Sequence, residues 1–307
     1  ARLMLDKGAE VDRAEEHGRT PLVIACATGH VDAARLLLEK GADVNQATEN
    51  GQTPLFIACF NGHVDAARLM LDKGAEVDRA NVGGVTPLWI ACSEGHVNAV
   101  RLLLDNGAEV DRAQLEGATP LFIACDKGHV DAARLLLEKG AEIDRARVED
   151  GATPLFIACF NGHVDAARLM LDKGAEVDRA EEHGRTPLVI ACATGHVNAV
   201  RLLLDNGAEV DRAAGNGWTP LSTAKYKGHA AVVALLEEHI YRLHAAAKTG
   251  DVDAMARLIN GGAEVDRAMR DGRTPLYVAC STGHADAAKL LLNKGAAVDR
   301  ANQNGAT

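Results

Sequence analysis

Residues 20–41 read TPLVIACATGHVDAARLLLEKG, and the organisation of the whole chain follows from that stretch. Thr20 is a favoured helix N-cap, and Pro21 suits the first helical position, where its missing N–H costs nothing. Leu22, Ala25 and Cys26 then share one face of a short helix, and Gly29 predicts the left-handed residue that ends it. A second helix is expected from about Val31 to Lys40, with Ala34, Leu37 and Leu38 on one stripe and Asp32 at the positive end of its dipole. Gly41 stops it. The polar stretch from Ala42 to Asn50 returns the chain to the next Thr-Pro-Leu as an extended finger. One such unit cannot bury its own apolar face, so copies must stack.

Copies are present. Gly18, Gly51, Gly84 and Gly117 open successive segments 33 residues apart, and after one extra residue, Asp150, the period resumes at Gly151, Gly184 and Gly217. All eight prolines occupy one slot of the period, which identifies a single structural role. Residues 1–31 recur verbatim as 167–197, and 53–80 as 153–180, which implies recent duplication or consensus-like design; seven free cysteines and an irregular joint favour duplication.

Thr-Pro-Leu followed by Gly-His at this spacing resembles the ankyrin repeat, in about nine tandem copies covering nearly the whole chain. The resemblance implies an all-α solenoid of stacked helix-turn-helix units with finger loops resembling β-hairpins. It also implies a non-catalytic scaffold that binds a partner protein or peptide along a concave groove. The alternative is a structural spacer or elastic array within a larger protein, which would show no saturable partner. One departure stands out: the family's His after Thr-Pro-Leu is replaced by Val23, Phe56, Trp89, Phe122, Phe156, Val189, Ser222 and Tyr277. Only Leu243-His244 keeps the family pair, and there the Thr-Pro is lost.

The interval from Gly217 to Gly272 is 55 residues, eleven short of two periods, so a finger is missing. Thr223-Ala224-Lys225 replaces the usual Ile-Ala-Cys, and Glu237-Glu238-His239 replaces the Gly-Ala turn, polar substitutions that suit a capping repeat. The expected organisation is therefore one repeat block over residues 1–240 and a second over 241–307. The chain begins within what reads as a second helix, Ala1 to Lys7, and ends at Asn304-Gly305-Ala306-Thr307, one residue short of the expected Pro. These ends read as a window on a longer array and imply end-to-end self-association through uncapped termini.

Of the 307 residues, 47% are hydrophobic but only 3% aromatic, so burial rests on Ala, Leu and Val. No apolar run approaches the roughly 18 residues of a membrane span. A net charge of −10 argues against nonspecific nucleic-acid binding, which needs a positive surface. Seven cysteines without disulfide spacing, and no Asn-x-Ser/Thr sequon, place the expectation in a reducing, cytoplasmic setting.

Cys-x-x-x-His recurs as Cys26/His30, Cys59/His63, Cys92/His96, Cys125/His129, Cys159/His163, Cys192/His196 and Cys280/His284. Zinc wants about four converging ligands, and neighbouring repeats at roughly 8–10 Å are too far apart to complete a set of two. The favoured reading is a small buried Cys and a His hydrogen-bonded locally. The Asp-Arg pairs (Asp78/Arg79 and its equivalents through Asp299/Arg300) read as exposed charge ladders along the fingers rather than as catalytic carboxylates. Asn45 alone interrupts that series, and the family resemblance implies it as a site for hydroxylation by a dioxygenase. No phosphate-binding Gly loop or nucleophile elbow is present, so no catalysis and no cofactor or metal are expected.

Nine of the ten aromatics, Phe56, Phe60, Trp89, Phe122, Phe156, Phe160, Trp218, Tyr226 and Tyr277, sit at slots that vary between repeats on the first helix or finger. The family resemblance places these slots in the groove, and aromatics anchor interfaces. They are the expected partner-binding residues. The competing reading packs the residue after Thr-Pro-Leu between adjacent first helices.

Overall fold

The computed structural model of the chain describes residues 10–260, 263–269 and 271–298. The helix expected at residues 1–7, the pair Asp299/Arg300 and the C-terminal residues to 307 lie outside them. Among the described residues there are eighteen α-helices and no strand, with each repeat contributing a first and a second helix.

Helices of seven to nine residues are too short to persist alone in water, so their caps and packing must hold them. α1 (Pro21–Ala27) and α2 (Val31–Glu39) set the pattern. It recurs as α3 (Pro54–Phe60) and α4 (Val64–Asp72), α5 (Pro87–Ser93) and α6 (Val97–Asp105), and α7 (Pro120–Lys127) and α8 (Val130–Glu138). Next come α9 (Pro154–Asn161) and α10 (Val164–Asp172), α11 (Pro187–Thr194) and α12 (Val197–Asp205), then α13 (Pro220–Lys227). From α1 to α11 each first helix packs on its own second helix and on the first helix of the next repeat, ending with α11 on α13. The threonines cap as their slot requires: Thr53, Thr86 and Thr119 accept from the N–H of Phe56, Trp89 and Phe122, each at 3.1 Å. Leu22, Leu55, Leu88, Leu121, Leu155 and Leu188, one residue after each Pro, are fully buried.

The histidines that open α4, α6, α8, α10 and α12 do not bond locally through their rings. Nε2 of His63, His96, His129, His163 and His196 donates to the carbonyls of Ala27, Phe60, Ser93, Asp126 and Phe160, 36 or 37 residues back in the preceding repeat, at 3.0–3.2 Å. The ring lies across the preceding Gly-His glycine. At Gly95, which sits at φ +72°, an added Cβ would stand 2.5 Å from His129 Nδ1. That glycine is demanded twice, by its backbone and by its neighbour's ring.

The fingers are also stitched from repeat to repeat. Asp78, Asp111 and Asp178 each accept, at 3.0 Å, from the N–H of Glu109, Glu142 and Glu209 in the next finger. The arginine beside each Asp turns instead to the Glu three residues before it, as Arg79 does to Glu76 at 3.5 Å. The expected charge ladder is therefore a ladder of carboxylates on backbone N–H groups. Partial burial raises the carboxyl pKa of Asp78, Asp111 and Asp178, with the backbone bond opposing the shift. Asn45 fills the same role with its amide oxygen, accepting from Glu76 N–H at 3.0 Å.

The chain divides into two compact units, residues 1–227 and 228–307. In the second, α14 (Ala230–Ile240) is separated from α15 (Arg242–Thr249) by Tyr241 alone, and no finger intervenes. α16 (Val252–Asn260), α17 (Pro275–Ser281) and α18 (Ala285–Asn293) follow, around a core that includes Leu243, Ala247, Met255, Ala279 and Leu291. The same lock recurs there: His284 Nε2 donates to Lys248 O at 3.0 Å, across Gly250.

Candidate interaction surface

The slot three residues after the capping Thr holds most of the aromatic row, and the structure turns it inward. Phe56, Phe122 and Phe156 are only 2–4% exposed, so they are core residues and offer no ring to a partner. The next finger lies over two of them. The Arg147 guanidinium lies 4.9 Å from the centre of the Phe122 ring, and that of Arg185 lies 5.9 Å from the Phe156 ring. Trp89 is half-buried, and its Nε1 donates to Ala118 O, 29 residues on in the next finger, at 3.0 Å. His244, in the equivalent slot of the second unit, bonds through Nε2 to Arg273 O across the same separation at 3.2 Å. Trp89 thus reproduces with an indole the bond that His244 makes with an imidazole. Tyr277 is half-buried in this slot as well.

Seven residues after the Thr, at the end of the first helix, the picture reverses. In the first unit this slot holds Ala27, Phe60, Ser93, Asp126, Phe160, Ala193 and Tyr226, and Phe60, Phe160 and Tyr226 are 43%, 42% and 73% exposed. The carbonyls of Phe60 and Phe160 are the ones held by His96 and His196. The backbone of this slot is thereby fixed while its side chain is free to vary, which is how a rigid scaffold presents changeable contacts. Trp218, half-buried in the last finger of the first unit, meets Tyr226 edge-to-face at 4.7 Å. Ile24, 40% exposed on α1, adds apolar area on a first helix.

A second exposed row escaped the sequence reading. At the tips of three consecutive fingers, Val82, Leu115 and Val148 are 70%, 77% and 85% exposed. The same phase carries Glu49 before them and Glu182 after them, so three apolar residues in an acidic slot were the available signal. The tips touch. Val82 N–H donates to Asn50 O at 3.1 Å and Leu115 N–H to Gly83 O at 3.2 Å. A Cβ on Gly117 would stand 2.7 Å from Val148 Cβ. Asp150, the inserted residue, enlarges the turn of the third tip and clasps Arg147 in a two-pronged ion pair. The Arg147 hydrogen bond holds the Asp150 carboxyl below its usual pKa. Glu181 is 5% exposed; burial would raise its pKa, but bonds from Arg185 and from the tip N–H groups bring it below the ordinary value.

Burial pushes the thiols of Cys26, Cys125 and Cys192 up to about 12, and those of Cys59, Cys92 and Cys159 higher still. Cys280 alone is exposed. Among the described residues no group of three or more His, Cys, Asp or Glu side chains could hold a metal ion, and no helix is long and apolar enough to cross a membrane.

A family model of ankyrin repeats in three copies matches residues 1–81, 43–114, 78–147, 107–181, 144–214 and 241–302. It skips 215–240, the stretch around the missing finger. No curated protein sequence matches the chain. Among solved structures, the human ASB11 ankyrin repeat domain is similar at 34% identity and TM-score 0.66, over 71% of this chain and 98% of its own. The ankyrin repeat domain of Bcl-3, a member of the IkappaB protein family, is similar at 29% identity and TM-score 0.63, over 72% of this chain and all of its own.

Proposed function

The chain belongs to the ankyrin-repeat family, and on that premise we propose that it is a non-catalytic scaffold binding a partner protein or peptide across the first-helix and finger face of residues 10–227. The observation that carries this reading is the exposure of Phe60 and Phe160, which the fold holds rigidly by the backbone yet does not bury. A large apolar side chain left 42–43% exposed on a fixed backbone is an anchor in waiting. The sheathed aromatics Phe56, Phe122 and Phe156 support it from beneath by keeping adjacent repeats in register. Buried, unreactive thiols suit a reducing compartment, and we place the protein there.

The test uses a peptide selected on the purified chain from a random peptide library. Phe60→Ser combined with Phe160→Ser should weaken its binding by about 2 kcal/mol or more and leave the melting temperature nearly unchanged. Unchanged affinity would remove these residues from the site, and a chain that selects no saturable peptide would be a spacer.

A further inference from the structure

The net negative charge of the chain is not spread over it. The seven fingers of the first unit, from Glu10–Arg19 to Ala208–Trp218, hold 21 acidic and nine basic residues, a net of −12 against −10 for the whole chain. The helices and the second unit are together slightly positive. The basic residues in these fingers are moreover largely committed: Arg79, Arg112, Arg145 and Arg179 to the Glu three residues before them, Arg147 to Asp150 and Arg185 to Glu181. Among the described residues Glu116, Glu149 and Glu182, beside and beyond the apolar tips, have no cation within ion-pair distance; Glu149 feels Arg147 only at longer range, and that guanidinium is already bound to Asp150. What the finger edge offers a visitor is a contiguous apolar row with uncompensated carboxylates around it.

We infer that the tips of the third to fifth fingers, Val82, Leu115 and Val148, form the primary docking edge for a basic protein segment, whose apolar side chains cover the row while its Lys or Arg residues meet Glu116, Glu149 and Glu182. The inference rests on the scaffold reading and names the class of partner. Two physical arguments select this occupant. Three adjacent apolar side chains at 70–85% exposure lose water when covered, and the fingers that carry them are already ordered by cross-finger bonds, so little ordering remains to oppose binding. The surrounding field repels an acidic segment and draws in a basic one, which sets partner choice and association rate. A nucleic acid or an anionic membrane would meet the same repulsion.

A random peptide library displayed against the intact chain, and in parallel against the Leu115→Lys plus Val148→Lys variant, tests this directly. Both residues are exposed, so the variant should melt like the parent; Leu115→Ser serves as a second, smaller change. The expected result is selection of peptides rich in Lys or Arg interspersed with Leu, Val or Ile. Their affinity should fall at least about tenfold in either variant and in about 0.5 M salt. Selection of acidic or neutral peptides, or binding indifferent to both variants and to salt, overturns the inference. If selected peptides are lost only on Phe60→Ser and Phe160→Ser, the scaffold reading stands and the finger-edge inference fails. Sedimentation showing dimers of the chain that Leu115→Lys dissolves would identify the row as a self-contact, and would likewise overturn it.

Discussion

Gly95 and Gly107 lie in the same repeat and both sit in left-handed backbone, at φ +72° and +83°, yet their surroundings differ completely. A Cβ on Gly107 would meet nothing within 4 Å, whereas one on Gly95 would stand 2.5 Å from His129 Nδ1 and 2.6 Å from its Cε1. Gly107→Ala should therefore cost only the backbone strain, about 1 kcal/mol. Gly95→Ala adds displacement of the imidazole and loss of its bond to Ser93 O, worth about 1 kcal/mol more, for a total of about 2 kcal/mol. Because a repeat array unfolds locally, the assay is native-state hydrogen exchange at the interface of α5 and α7 alongside urea unfolding. Removing the ring should abolish the difference: in a His129→Ala background, Gly95→Ala should cost no more than Gly107→Ala. Equal costs for the two glycines in the parent, or an unchanged cost for Gly95→Ala without the ring, would refute the cross-repeat lock.

Trp89→Ala should lower stability by about 2 kcal/mol, through the lost bond to Ala118 O and lost packing, and Trp89→His should recover part of it by restoring the donor; a purely interfacial Trp89 would leave the melting temperature alone. A thiol reagent should modify one cysteine quickly, Cys280, and the other six only on unfolding, as read by mass spectrometry of timed samples. Asp150 has a folded pKa below the ordinary 3.8, so its stabilising contribution is present above 3.8 and disappears as pH falls through the lower folded value. Arg147→Gln should return that pKa towards 3.8 and loosen the tip at residues 147–152, measurable by NMR titration and exchange. Asp78, Asp111 and Asp178 act in the opposite sense: with raised folded values, their contribution is full below 3.8 and is lost as pH rises through the folded pKa. Mild acid should therefore open the tips at residues 147–152 and 181–185 before the finger bases, as site-resolved exchange would show.

The local grammar was legible because it is local. Thr20, Pro21, Gly29 and Gly41 each act within a few residues, so their slots in the period announce two helices and a finger. What one repeat does to the next was not legible, because it depends on contacts about 30 residues apart in the chain. His129 was read as a local partner and proves to reach Ser93. Phe122 was read as an exposed anchor, but Arg147, contributed by the following finger, lies over its ring. Val82, Leu115 and Val148 were signalled only by the slot they share with Glu49 and Glu182, because a finger loop has no amphipathic period of its own to mark exposure. Trp89 shows the limit most clearly: its variation from the family's His looked like adaptation to a partner, and in the structure it preserves a hydrogen bond to the next finger.

On the proposed reading, residues in fixed slots build the stack and exposed side chains in variable slots of the first helices and finger tips do the binding. Hydroxyl-radical footprinting of the chain, alone and saturated with a selected peptide, tests this division at side-chain resolution. Protection should appear at Phe60, Phe160, Leu115 and Val148, with Arg68, Arg101 and Arg134 on the second helices unchanged. Protection on the second helices, with those apolar residues as reactive as in the free chain, would contradict it.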